Sequence, residues 1–84
     1  RFELRRAAIA KLGREDIVES DVENFTKEFD AIAMAPPPEA GYRTSVKELL
    51  YGTKPEASLQ PEEKETLNNL VQVLHARRSG IKRQ

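Results

Sequence analysis

Histidine is the commonest general base and metal ligand in proteins, and this sequence has a single one, His75. A catalytic dyad needs a serine or a carboxylate held beside the histidine. A zinc site needs further ligands at spacings such as H-x-x-x-H, which the sequence lacks. Cysteine is absent, which excludes thiolate metal sites, cysteine nucleophiles and disulfides. We therefore expect no catalytic residue, no metal site and no cofactor, and we interpret His75 as a residue at the border of an apolar helix face.

Acidic side chains are concentrated between residues 15 and 39, where eight of them accompany a single lysine. The densest stretch could hold a hard cation, and it contains Glu15, Asp16, Glu19, Asp21 and Glu23. A calcium loop needs ligands at alternating positions and a glycine at its turn, and both are missing here. Acids also favour the first turn of a helix, because the helix dipole is positive there. We interpret the run as a solvated helix face, with a docking face for a basic partner as the alternative.

Basic residues collect at the two ends of the chain. The formal charge is +4 over residues 1–14, −7 over 15–39, −1 over 40–65 and +4 over 66–84, so the net charge is zero. Brought together, the two ends could form one patch that contacts nucleic-acid phosphates. The candidate residues for that patch are Arg5, Arg6, Arg77, Arg78, Lys82 and Arg83. The acidic middle would repel a duplex and no aromatic residue interleaves the basic ones, so nucleic-acid binding is the alternative function.

An apolar seam is the main candidate for a protein interface. Its residues are spaced by four, three, four and three, and they are Val18, Val22, Phe25, Phe29 and Ile32. This spacing sets them on one narrow helical stripe, as in helices that pair in coiled coils. In a monomer the stripe is core, which is the favoured interpretation. In an assembly, Phe25 and Phe29 would anchor the interface.

The elements that must position these residues are helices. Apolar residues recur with helical spacing, no stretch alternates as a strand does, and no Asn-Gly or Asp-Gly turn occurs. The predicted helices are residues 1–13, 16–35, 45–51 and 60–79. The predicted connecting segments are a proline-rich connector at 36–44, a linker at 52–59 and a basic tail at 80–84.

Capping boxes predict where the second and third helices begin. The second helix would begin after Asp16, with Glu19 completing the box, or one turn later after Ser20. The third helix would begin after Ser45, with Glu48 completing its box.

Prolines and glycines predict the other helix ends. Pro61 suits the first position of the fourth helix, and Gly80 is predicted to end that helix. Gly13 and Gly52 are predicted to end the first and third helices. The three prolines at 36–38 would end the second helix and form a stiff connector, because they lack the P-x-x-P spacing of groove-binding peptides.

We expect the 84 residues to form one all-α domain, a small bundle of three to four helices, two long and two short. The simplest packing sets the second and fourth helices antiparallel, with the others closing the open sides. A chain of this size buries a thin core, so its stability could depend on a partner or on self-association. No apolar run reaches the roughly 18 residues of a membrane-spanning helix. The first residue is Arg1 rather than Met, which suggests a processed product or a part of something longer.

These observations predict a non-enzymatic helical module for protein–protein interaction, such as an adaptor, a regulator or an assembly subunit. It would act through its apolar seam and its charged ends on a protein partner or on a second copy, as a homodimer. Nucleic-acid binding is the alternative, and no membrane partner is expected. The absence of cysteine and of a signal peptide favours the cytoplasm.

Overall fold

Proline and glycine positions divide the chain into four α-helices. The computed structural model describes the backbone of residues 2–82 and the side chains of residues 2–80. The helices are α1 (Phe2–Leu12), α2 (Glu19–Met34), α3 (Tyr42–Tyr51) and α4 (Pro61–Lys82), with a short 3-10 turn at Glu56–Ser58. Residues 2–82 contain no β-strand, so the predicted all-α class is confirmed. Every pair among the four α-helices is in contact.

The core draws on all four helices and on two connecting residues. All of its buried side chains are hydrophobic, and among the described residues no buried side-chain nitrogen or oxygen lacks a hydrogen-bond partner. The buried residues are Leu4, Ala7, Ala8, Ile17, Val22, Phe25, Phe29, Ala33, Val46, Leu50, Leu59, Leu67, Leu70 and Leu74. A core without buried charge is stabilised by apolar burial and close packing rather than by internal ion pairs.

The start of α2 differs from both predicted capping boxes. Its N-cap is Val18, whose backbone N–H donates to the Asp21 carboxylate over 3.1 Å. Asp16 lies outside the helix, where its carboxylate pairs with Arg14 at 3.3 Å. Between them Ile17 is buried in the core. Burial of Ile17 therefore fixes where the helix begins, and the prediction of Asp16 or Ser20 as N-cap is wrong.

The start of α3 comes earlier than predicted. Gly41 is its N-cap and has φ of +93°, a left-handed conformation that glycine adopts without steric cost. The Gly41 N–H closes a turn by donating to the carbonyl of Pro38 over 2.9 Å. Residues 42–44 thus belong to the helix, and the predicted connector at 36–44 and capping box at Ser45 are corrected. The ends predicted from Gly13, Pro36, Gly52 and Pro61 agree with the structure.

The helix α4 runs through Gly80 to Lys82, so the predicted stop at Gly80 is wrong. Gly80 does not adopt a positive φ, unlike the glycines that follow α1 and α3. A glycine in a helix interior costs about 1 kcal/mol relative to alanine, which lowers helix stability without ending the helix. The predicted basic tail at 80–84 is therefore helical as far as Lys82. Arg83 and Gln84 lie outside the described residues.

Several hydrogen bonds hold the linker between α3 and α4 against α3. Arg43 donates three hydrogen bonds to the Glu56 carboxylate, with Nη2 to Oε2 at 2.6 Å. Lys47 donates to the carbonyl oxygens of Gly52 and Lys54. These contacts fold the linker back onto α3, so the linker predicted at 52–59 is an ordered segment with a 3-10 turn rather than a plain connection.

Contacts between α2 and α4 join the C-terminal half of one to the C-terminal third of the other. Asp30 pairs with Arg77, and the Ala33 carbonyl accepts from Arg78. An antiparallel pair aligned along its whole length would instead set the end of α2 against the start of α4. These two contacts do not fit an antiparallel pair of α2 and α4 that is aligned along its whole length. Within the described residues no helix is long and apolar enough to cross a membrane.

Candidate interaction surfaces

Most of the predicted seam lies in the core. Val22, Phe25 and Phe29 are 7%, 4% and 0% exposed, and Ile32 is half-buried against them. The rings of Phe25 and Phe29 stack, with centroids 6.4 Å apart and planes inclined by 12°. In this fold their side chains contact the other helices, as the favoured interpretation of the spacing expects. Val18, at the first position of the seam, is 59% exposed, so the seam reaches the surface at that end.

Arg77 is engaged by an aspartate of α2. Its Nε and Nη2 donate to the two carboxylate oxygens of Asp30 over 2.6 and 2.7 Å. This two-point geometry is the strongest form of the arginine–carboxylate pair. Both side chains are about one-third exposed, so the pair lies at the edge of the core. Arg77 is thus a bridge between α4 and α2 rather than a cation presented to phosphate.

Arg78 is engaged by the end of α2. Its Nη1 donates to the carbonyl oxygens of Ala33 and Ala35, which the helix itself leaves without partners. The Arg78 guanidinium also lies 4.6 Å from the centroid of the Tyr42 ring. The Tyr42 hydroxyl donates to the same Ala35 carbonyl. Arg78 and Tyr42 together terminate α2, a role that sequence reasoning missed because residues from three helices meet there.

Of the other predicted nucleic-acid residues, the structure describes the side chains of Arg5 and Arg6. Arg5 and Arg6 are exposed on α1, and the Arg6 guanidinium lies 5.6 Å from the centroid of the Phe2 ring. A further cation of α1, Lys11, donates to the carbonyl of Leu49 in α3. The backbone of Lys82 is helical and its side chain is not described, and Arg83 lies outside the described residues. Of the six candidates, the structure places two as exposed cations and two in contacts with α2.

A groove between α1 and α2 has both exposed hydrophobic surface and charged side chains. Its volume is about 460 Å³, and it is lined by Phe2, Arg5, Glu19 and Val22. Phe2 is 68% exposed, an unusual fraction for a phenylalanine. Exposed Val18 lies one helical turn before Val22, and its carbonyl accepts from the Val22 N–H. The groove thus continues the buried seam out to the surface.

A second groove of about 480 Å³ lies beside α1, α3 and α4 and is mainly polar. Its charged lining consists of Glu15, Glu62, Glu63 and Arg6. Burial raises the pKa of Tyr51 above its usual value, which keeps the hydroxyl protonated, and the hydroxyl donates to the Glu63 carbonyl. The backbone N–H of Gln60 lowers the pKa of Glu63 by donating to its carboxylate. These groups cap α4 and anchor α3, and they set no nucleophile beside a base.

A third, smaller groove of about 300 Å³ lies where the proline-rich connector meets α2 and α3. Its lining is largely apolar and includes Ile32, Pro36 and Pro38. Met34 is 68% exposed in the same part of the chain. This groove carries no charged lining residue, so it offers apolar contact without a feature that would orient a partner.

The single histidine of the sequence lies away from these grooves. His75 is exposed on α4 and lines none of these three grooves. Within the part of the chain that the structure describes, no three histidine, aspartate or glutamate side chains are grouped to hold a metal ion. The α1–α2 groove is therefore the surface with the clearest features of a docking site. No protein-family model, curated protein or solved structure matches the chain.

Proposed function

We propose that this chain is a non-enzymatic protein-interaction module, an adaptor, regulator or assembly subunit, that docks its partner in the α1–α2 groove. The observation that supports this most is the exposure of Phe2 and Val18 beside a groove floored by Val22. Aromatic residues are enriched in protein interfaces, whose apolar centre is surrounded by a polar rim. Arg5 and Glu19 supply that rim, one cation on α1 and one anion on α2.

The rest of the molecule fits this role. The four-helix core supports α1 and α2 from the other side, since both contact α3 and α4. Interface residues placed on helices are held more rigidly than residues on loops, which lowers the entropy lost on binding. The buried part of the α2 seam packs α2 against the other helices, and its exposed end is available to contact the partner.

Nucleic-acid binding receives less support. Two of its central residues, Arg77 and Arg78, are held by Asp30 and by carbonyl groups of α2. Arg5 and Arg6 remain as exposed candidates, and exposed α2 acids such as Glu19 and Glu23 lie on the adjoining helix. Binding to a polyanion would require those acids to approach phosphates of the same charge.

The test is site-specific photocrosslinking in an extract of the source cells. A benzophenone amino acid at position 18 should give a covalent adduct with one protein species. Excess unlabelled wild-type chain should change the yield of that adduct, lowering it when the adduct is with a different protein and raising it when the adduct is with a second copy, and an unlabelled Phe2→Asp variant should not. The same probe at the exposed position of Lys27 is the matched control on α2 and should give no such adduct. If the adducts at positions 18 and 27 are alike, or if Phe2→Asp changes the yield as wild type does, the proposal is wrong.

A further inference from the structure

The charges on the two walls of the α1–α2 groove have opposite signs. The charged lining residue from α1 is Arg5, which is exposed. The charged lining residue from α2 is Glu19, which is also exposed. A partner that complements this groove therefore presents an acidic side chain to Arg5 and a basic side chain to Glu19.

The chain itself has that pattern. We propose that the partner in the α1–α2 groove is a second copy of this chain, related to the first by a twofold axis. In such a dimer each contact occurs twice, because the same patch serves on both copies. Arg5 of each copy would face Glu19 of the other, and Phe2 of each would pack on Val18 of the other. This inference rests on the proposed function, since it names the partner for the same groove.

Two details of the groove support self-docking. Arg5 and Glu19 line one groove, yet among the described residues no ion pair of 4 Å or less joins them within one copy. Both side chains are exposed and so available to a second copy. Phe2 and Val18, at 68% and 59% exposure, supply one apolar side chain from each helix. Across a twofold axis, the cation of one copy would face the anion of the other. The aromatic ring of one copy would likewise face the valine of the other.

The expected dimer is weak and sensitive to salt. A standard interface buries about 800 Å² on each partner, which is a substantial part of the 5625 Å² surface of this small chain. Among the residues that the structure describes, two large exposed hydrophobic side chains, Phe2 and Val18, lie beside the groove, so the apolar contribution to binding is small. The charge pairs at its rim would be screened by added salt.

The decisive test uses charge reversal in sedimentation equilibrium of the purified chain, from about 10 µM to about 1 mM, the range in which weak interfaces form. Wild type should dimerise reversibly. Arg5→Glu and Glu19→Arg should each weaken dimerisation by about tenfold or more, because each places like charges opposite one another twice. An equimolar mixture of the two variants should recover the dimer, since both contacts of the mixed dimer then join opposite charges. Within each single chain the like charges remain, so recovery can arise only between copies.

The matched control is Lys27→Glu mixed with Glu65→Arg. These residues are exposed outside the groove, and their variants should dimerise as wild type does, alone and mixed. A second groove variant, Val18→Asp, removes an apolar contact while placing a favoured residue at the N-cap of α2. It should therefore raise the melting temperature and still weaken the dimer, which separates loss of docking from loss of folding.

The outcomes separate this inference from the proposed function. A wild-type chain that stays monomeric up to about 1 mM overturns the second copy as partner. Single charge variants that dimerise like wild type, or a mixture that fails to recover the dimer, overturn it as well. In each of these cases a competed adduct from position 18 with a different protein would still support the docking function. A dimer formed without any adduct at position 18 would place the interface elsewhere and overturn both.

Discussion

Arg77 of α4 and Asp30 of α2 form a two-point ion pair, with Nε to Oδ1 at 2.6 Å and Nη2 to Oδ2 at 2.7 Å. The two residues lie 47 positions apart in the sequence, so their pairing depends on how α2 and α4 pack against each other. Both side chains are about one-third exposed, where solvent weakens the attraction of the charges. The pair also joins α4 to α2 at the edge of the core, where Leu74 and Phe29 are fully buried.

Removing one partner of this pair should destabilise the fold modestly. We expect Asp30→Ala to lower the free energy of unfolding by about 1 kcal/mol, given the good geometry and the partial exposure. Urea unfolding followed by circular dichroism measures this change. The control Lys27→Ala, at an exposed position of the same helix, should change stability by less than about 0.5 kcal/mol. Equal effects of the two variants on the free energy of unfolding would show that the ion pair does not stabilise the fold.

Arg78 and Tyr42 should contribute to stability as a coupled pair. Both donate to the Ala35 carbonyl, and the guanidinium lies over the ring. We expect Arg78→Ala and Tyr42→Phe each to cost about 1 kcal/mol. The double variant should cost more than the sum, by about 0.5 kcal/mol or more, because either donor alone still satisfies the shared Ala35 carbonyl and the double variant leaves it without one. A double-mutant cycle in urea measures the coupling, and strict additivity would contradict it.

Phe29 and Met34 should respond in opposite ways to truncation. Phe29 is fully buried, so Phe29→Ala should cost about 3–5 kcal/mol, a large part of the stability of so short a chain. Met34 is 68% exposed, and Met34→Ala should cost less than about 0.5 kcal/mol. Thermal or urea unfolding compares the two. A small loss for Phe29→Ala would mean that the stacked phenylalanines of α2 are not part of the core.

Glu56 should make the linker sensitive to acid. The hydrogen bond from Arg43 lowers the pKa of the Glu56 carboxyl below its usual 4.5. A lowered pKa in the folded state contributes stability above pH 4.5, and that contribution is lost as pH falls through the folded pKa. Wild type should therefore lose stability on acidification below pH 4.5 more steeply than Glu56→Gln does. Urea midpoints measured between neutral and acid pH test this, and parallel curves would contradict it.

Nucleic-acid binding has a separate check. With Arg77 and Arg78 engaged by α2, we expect no mobility shift of a DNA or RNA duplex at about 50 mM salt. We expect the Arg77→Ala and Arg78→Ala variants to lose stability rather than a binding activity. A shift that weakens steeply with salt and disappears in both variants, at unchanged fold, would instead favour the nucleic-acid function.

Helix ends that depend on local chemistry could be predicted from the sequence. Gly13 and Gly52 adopt the left-handed conformations expected after α1 and α3, and Pro61 begins α4 as expected. The start of α2 could not be predicted in this way, because burial of Ile17 outweighs the capping preference of Asp16. The effect of Gly80 was overestimated, since a glycine weakens a helix without ending it.

The surface was harder to predict than the core. The spacing that unites Val22, Phe25 and Phe29 is a local pattern, and it identifies buried residues reliably when one face is packed. The roles of Arg77 and Arg78 depend on residues of α2 more than forty positions away. Charge counts along the sequence could not show those contacts. The exposure of Phe2 and Val18 likewise follows from which faces the other helices cover.

Arg78 contacts backbone carbonyl groups of α2 rather than its side chains. The contact between α4 and the end of α2 therefore depends on the number of residues in α2. The alanines at 33 and 35 could be exchanged for other small residues while their carbonyl groups stayed in place. Insertion of one residue before Ala33 would rotate the following carbonyl groups by about 100° and advance them by about 1.5 Å, away from the guanidinium. The fold therefore tolerates a change of residue at the end of α2 more readily than a change in the number of residues.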